Sequence, residues 1–233
     1  MHPAPSQDVV QKPSLKLTCT VHGPRPLPRS APFSPQLVLS VKFKFAPFAT
    51  AERRSHLPDS VERDLSAHLE TALRGVILAE RWPKSGLDVI ITVLEGDDEQ
   101  QNQAEEILSA LGLMNILAGS VTAASAAIVD AGIDCVDIVT GGVAAIVSQP
   151  DGQEKVILDP CPSDNDNVEG SCLVSHLHSR GEITDLWATD NRASHSTKLM
   201  DFDTLVNNAI EAASGARLVV IEALAQARSR RRT

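Results

Sequence analysis

No two cysteines in this chain are spaced as a CxxC pair. Cys19, Cys135, Cys161 and Cys172 stand singly in strand-like or loop-like stretches, so neither a zinc site nor a disulfide framework is expected, and the thiols read as free and intracellular. The N-terminus lacks a basic flank followed by an apolar run, and no window reads as the roughly 20 apolar residues of a membrane span. A soluble protein with no membrane partner is expected. Cationic excess is missing too: 21 Lys and Arg stand against 30 Asp and Glu, a formal net charge of -9. That balance excludes whole-surface attraction to nucleic acid and leaves only local basic clusters for any RNA contact. None of the seven histidines accompanies a Ser or Cys in a nucleophile motif. There is no Walker loop and no Rossmann fingerprint, so no cofactor, no metal and no catalytic group is assigned.

What is present fits one domain of 233 residues, long enough to bury a substantial core. Residues 1–14 are polar and Pro-rich and are expected to be disordered. Leu15 to Val21 alternates as a half-buried strand, with His22-Gly23-Pro24-Arg25 read as its turn; Gln36 to Phe45 alternates as a second strand. Asp59 with Glu62 resembles a capping pair opening a helix with Val61, Leu65, Leu69, Leu73 and Ile77 on one face. Leu87 to Leu94, bounded by Gly86 and Gly96, has the β-branched content of a mostly buried strand.

An acidic insert, 98–113, follows, with Ala104, Ile107, Leu108 and Leu111 at amphipathic helical spacing; then comes the Ala-, Gly- and Ser-rich run Ala118 to Ala131, a helix able to approach a neighbour closely. Cys135 to Val147 reads as a long strand whose Gly141-Gly142 marks a bulge or a close backbone approach. Gln149-Pro150-Asp151-Gly152 should return Lys155 to Asp159 as a hairpin, and Ser171 to His178 with Glu182 to Ala188 should form another across Ser179-Arg180-Gly181. Asp201 is expected to cap a last helix with Leu205, Ala209, Ala212, Ala213, Ala216, Val220 and Ala223 on one face, and 228–233 reads as a solvated basic tail.

Three motif groups carry a resemblance. They are Val21-His22-Gly23-Pro24-Arg25; Val41 through Phe48 leading to Glu52-Arg53-Arg54; and Pro83-Lys84-Ser85-Gly86-Leu87-Asp88 with Thr122 through Ile133 and Asp137. In order and spacing they resemble the RNase PH family of phosphate-dependent exoribonucleases, over most of residues 15 to 225. The resemblance implies an α+β fold like domain 2 of ribosomal protein S5, with mixed sheets packed against helices, as one domain over 15–227. Such chains usually carry about two further strands before residue 15; either the gene model is truncated or another element covers that sheet edge, and truncation is the expectation.

The family's site does not carry over. Active relatives hold phosphate on a Gly-Thr-Arg turn at a helix N-terminus. Counting back from Asp130, the arginine's place falls on Leu117, preceded by Asn115 and Ile116. Two acids that the family pattern calls for fall on Asn165 and Ser171, although Asp164 and Asp166 flank the first. A catalytically inert subunit is expected. The resemblance then implies a place in the ring of the eukaryotic RNA exosome, paired with another RNase PH-like subunit, beside further ring subunits and an S1/KH cap protein, in nucleus, nucleolus and cytoplasm. It also implies that the small-residue helix and strand edges are buried between subunits. Single-stranded RNA in the channel would meet Arg53 and Arg54, with Arg25 and Lys84 as weaker contacts. The alternatives are an active phosphate-dependent 3′–5′ exoribonuclease, or an interaction module outside the exosome.

Overall fold

Strand β3 (Ser85–Glu95) is the centre of the first sheet. It alternates with the pleat: Leu87, Val89, Ile91 and Val93 are fully buried, while Asp88, Ile90, Thr92 and Leu94 are half-buried. β1 (Lys16–Pro26) pairs antiparallel to it and β2 (Val38–Phe45) parallel, giving the order β1-β3-β2. The structure, a computed structural model, describes residues 15–49, 53, 57–96, 110–148, 154–161, 168–190 and 202–231. The expected disorder of residues 1–14, the acidic run 98–109, the turn at 149–152 and the Asp201 cap lie outside them. Among the described residues no strand pairs with the outer edge of β1.

β1 does not turn at His22-Gly23-Pro24-Arg25 as the sequence suggests. It runs on to Pro26, and the register slips between His22 and Arg25, so the Gly-Pro punctuation makes a bulge. Gly23 sits at φ +141°, where an added Cβ would lie 2.7 Å from the Gly86 carbonyl oxygen, a position only glycine fills.

Helix α1 (Ser60–Arg74) begins at the expected capping box: Asp59 accepts from its own helix's first turn, and Glu62 Oε2 accepts from the Asp59 amide. Leu65, Leu69, Ala72 and Leu73 are buried. Glu62 is buried too, and its Oε1 accepts from the Phe45 amide at 2.9 Å, while Ser66 Oγ accepts from the Phe43 amide at 3.0 Å. Both amides belong to the outward side of β2, so two helix side chains stand where a neighbouring strand would otherwise stand.

The second sheet has the order β5-β4-β6-β7, antiparallel throughout, from β4 (Val139–Ser148), β5 (Glu154–Leu158), β6 (Val168–Leu177) and β7 (Glu182–Asp190). Both expected hairpins form. β4 starts later than the sequence suggests, because Cys135 makes only an isolated bridge with Ile77. Its bulge lies at Ile146/Val147, while the Gly141-Gly142 pair serves close approach.

Helix α2 (Ala110–Asp130) is one continuous 21-residue element, and residues 110–113, the end of the expected insert, lie within it. Among the described residues it is the one helix long and apolar enough to cross a membrane, contrary to the expectation that no window qualifies. It is the core helix. It packs with α1 between the two sheets, with Met114, Ile116, Leu117, Val121 and Ala124 fully buried. Some of its small residues serve contacts inside this chain, with Ala118 and Ala124 in the main core, while Gly119, Ala123, Ala126 and Ala127 stay half-buried. β5 covers β4 only from Ala144 to Ser148. Beyond β5's reach, the Gly141 amide donates to Thr122 Oγ1 at 3.1 Å and the Val139 amide to Ser125 Oγ at 3.0 Å. Again helix side chains complete a strand edge.

The far face of this sheet is covered by α3 (Phe202–Arg230) through Leu205 and Ala209, packed on Ala144, Ile146, Cys172 and Val174. Burial on α3 ends near Ala213; Ala216 and Val220 are half-buried and Ala223 is exposed. The basic tail is in part this helix: Arg228 and Arg230 lie in its last turn, and Arg231 reaches Asp130 at the end of α2 at 2.9 Å.

Candidate functional site

Three of the positions to which the sequence count assigns the family's phosphate and acid residues, Asn115, Leu117 and Ser171, lie on α2 and β6, which meet through Met114 and Ser171. Leu117 is the eighth residue of α2 and fully buried, its side chain part of the main core. Ala110, the first residue of α2, lies about two turns earlier. Asn115 donates from Nδ2 to the Pro160 carbonyl at 2.8 Å, tying α2 to the end of the β4-β5 hairpin. Ser171 is buried; its Oγ lies 2.8 Å from Thr189 Oγ1 and 3.3 Å from Met114 Sδ. Asn165, Asp164 and Asp166 lie outside the described residues. What the described part of this cluster offers is an amide, two hydroxyls and a thioether. These groups hydrogen-bond, but none carries the charge that would neutralise a phosphate or hold a divalent cation.

The basic candidates divide into two groups. Arg25 is exposed and ion-paired with Asp88. Lys84 lies just before β3 with φ +58°, its carbonyl accepting from Leu27 N at 3.0 Å and its amide donating to Ser34 O at 3.1 Å. These two share the end of the sheet where β3 begins, since Arg25 is in register with Gly86. Arg53 is exposed and follows Ala49, whose carbonyl accepts from Gly96 N at the other end of β3. The strand ends carrying the two groups are separated by the length of β2, roughly 25 Å at ~3.3 Å per residue. Arg54 lies outside the described residues.

A third feature escapes the sequence. His68 on α1 places Nδ1 2.9 Å from Asp185 Oδ2 on β7, and its ring stacks on Trp187 with centroids 5.3 Å apart. The hydrogen bond to Asp185 raises the His68 pKa above its ordinary value; burial opposes this, and Asp64 adds to it. The trio lines an open cleft of about 490 Å³ with Val61, Leu65 and Leu113. The partners are 117 residues apart in the chain, and no local pattern links them.

Residues 11–134 match the family described as the 3′ exoribonuclease family, domain 1. The chain belongs to the RNase PH family. Among its relatives, the exosome complex component MTR3 of Chaetomium thermophilum is 48% identical over 212 residues, covering 91% of this chain and 74% of that one. The exosome complex component mtr3 of Schizosaccharomyces pombe is 34% identical over 212 residues, covering 90% and 74%. The crystal structure of rice Rrp46 superposes with a TM-score of 0.65, covering 90% of this chain and 84% of that one; at 16% identity the likeness shows the fold. The α+β RNase PH fold expected from the motifs is thereby borne out.

Proposed function

We propose that this RNase PH family chain is a non-catalytic subunit of the RNA exosome core ring, supporting 3′–5′ processing and degradation of RNA without performing phosphorolysis. The observation that carries the reading is the 48% identity, over nearly the whole chain, with a protein named as an exosome component. The non-catalytic half draws support from Leu117: a side chain enclosed in the core, two turns inside a helix, occupies the place aligned with the phosphate-binding arginine. In this reading the chain pairs with another RNase PH-like subunit, joins further ring subunits under an S1/KH cap protein, and works in nucleus, nucleolus and cytoplasm. RNA meets it at local cations, Arg53 and Arg54 foremost and Arg25 and Lys84 second, because a net charge of -9 supports no general attraction.

The test is affinity purification of the tagged chain from its native cell, followed by phosphorolysis on the chain alone. Recovery with a ring of RNase PH-like subunits, and no phosphate-dependent release of nucleoside diphosphates from RNA, is the expected pair of results. Recovery without any such subunit would overturn the assembly. Phosphorolysis lost on changing Asp164 or Asp166 would overturn the non-catalytic assignment.

A further inference from the structure

The chain has only five phenylalanines, two tryptophans and no tyrosine. Phe43 and Phe45 are used in the core. Phe33 is not: it is 71% exposed, on the loop between β1 and β2. Nor does that loop leave it loosely placed. Leu27 and Ser34 bond to the two sides of the Lys84 peptide backbone, and Ser34 Oγ donates to the Gln36 carbonyl at 2.7 Å. Lys84 itself adopts φ +58°, uncommon for a side chain larger than glycine. Its ammonium is thereby set 5.3 Å from the centroid of the Phe33 ring. The lysine covers one face of the ring, and most of the residue remains open to water.

The surroundings are cationic. Lys84, Arg25 and Arg29 are all exposed, Arg29 on the same loop as Phe33 and Arg25 at the end of β1 that leads into it. The carboxylate paired among them is Asp88, which faces Arg25. In a chain of net charge -9, an exposed aromatic ring with a lysine over it and two exposed arginines on the chain that leads to it is a local concentration of positive charge. Base stacking on an aromatic with neighbouring cations at phosphates is how single-stranded nucleic acid is held without sequence preference.

We infer that Phe33, backed by Lys84, is a stacking platform for one base of single-stranded RNA, with Arg25 and Arg29 meeting the adjoining phosphates. This rests on the reading of the chain as a ring subunit that meets RNA. It adds a contact of another kind, in which Phe33 binds bases while the arginines at 53 and 54 bind charge.

The experiment uses the reconstituted ring containing the full chain, and compares binding of a labelled oligouridine with that of an abasic ribose-phosphate strand of equal length. Phe33→Leu is expected to weaken oligouridine binding about 5- to 100-fold, the range of a lost base stack, and to leave the abasic strand unaffected. The slope of log affinity against log salt should not change, because no charge is removed. Phe33→Trp should restore binding. Lys84→Gln, by contrast, should weaken both strands and reduce the slope. Unchanged oligouridine binding by Phe33→Leu, while the Arg53→Ala/Arg54→Ala ring binds more weakly, would overturn the platform and spare the ring reading. A ring that fails to assemble with Phe33→Leu would make the ring of Phe33 a protein contact, also overturning the platform. No effect of either variant in an intact ring would remove the RNA-contact reading and the platform with it.

Discussion

Gly142 is wedged under α3, and adding one methyl group there tests how the second sheet is covered. A Cβ on Gly142 would lie 2.3 Å from both the Ala209 carbonyl oxygen and the Ala213 amide nitrogen. Ordinary contact begins at 3.4 Å, so α3 must retreat by roughly 1 Å. The obstacle is helix backbone, which cannot swing aside as a side chain can. Overpacking of this kind costs about 1–3 kcal/mol. The retreat also stretches the bond from Thr140 Oγ1 to the Ala213 carbonyl, now 2.8 Å, and such a bond contributes about 1 kcal/mol. Gly142→Ala should therefore destabilise by about 2–4 kcal/mol, a large share of the ~5–15 kcal/mol that holds a domain together. In thermal unfolding followed by circular dichroism, that is a fall in Tm of roughly 10 °C. Gly215, on the same helix with nothing within 4 Å of its would-be Cβ, is the control. Gly215→Ala should stabilise by about 0.5–1 kcal/mol, since a helix-interior glycine is entropically costly. A Gly142→Ala protein melting within about 2 °C of its parent would refute the claim that β4 and α3 meet backbone to backbone.

Glu62→Ala leaves the Phe45 and Asp59 amides without their acceptor and should cost about 2–3 kcal/mol, read by urea unfolding, with faster hydrogen exchange at Phe45 than at β3 amides. Because Asp185 raises the His68 pKa, the folded state holds that proton more tightly than the unfolded chain does. The contribution of this pair to stability is thus fully present below the ordinary histidine range and fades as pH rises through the folded value; His68→Gln should flatten the stability profile there, and an unaltered profile would remove the pair from the balance. In the assembled ring, Arg53→Ala with Arg54→Ala should weaken RNA binding regardless of base sequence and lower the salt slope by about 1–2 units, at ~0.7 per single-strand phosphate contact. The isolated chain should neither degrade RNA with phosphate nor extend it from nucleoside diphosphates, as assayed by thin-layer separation of products.

The features legible in the sequence are those with local causes. Asp59 and Glu62 announce a capping box three residues apart, and both hairpins are marked by turn residues, Gln149-Pro150-Asp151-Gly152 and Ser179-Arg180-Gly181. The Gly141-Gly142 pair was readable as close approach, because only glycine lets a strand meet helix backbone. Less legible was anything decided across the chain. Gly23-Pro24 looks like a turn, yet β3 pairs with β1 on both sides of it, so sheet pairing overrides the local signal. The small residues of α2 look equally suited to a neighbouring subunit or to this chain's own sheets, and composition does not choose between them. Of the site, the basic candidates were visible as residues, but their division between opposite ends of a sheet required the register. His68, Asp185 and Trp187 meet only because α1 leans on β7, and Phe33 gains its meaning from Lys84, some fifty positions away.

The two helix-guarded strand edges obey one ruler. Glu62 serves Phe45 and Ser66 serves Phe43; Thr122 serves Gly141 and Ser125 serves Val139. In both cases the helix runs against the strand. Outward amides recur every second residue of a strand, about 6.6 Å, and three to four residues of helix climb about 4.5–6 Å. The two periods agree for one step and then drift apart. A helix can therefore guard about two successive amides and no more, and in doing so it loses the freedom to roll about its own axis: a turn of one residue, about 100°, would unhook both bonds together. In α2 this pair of hydroxyls acts together with the buried Met114, Ile116, Leu117 and Val121 to fix the rotation of the helix against β4.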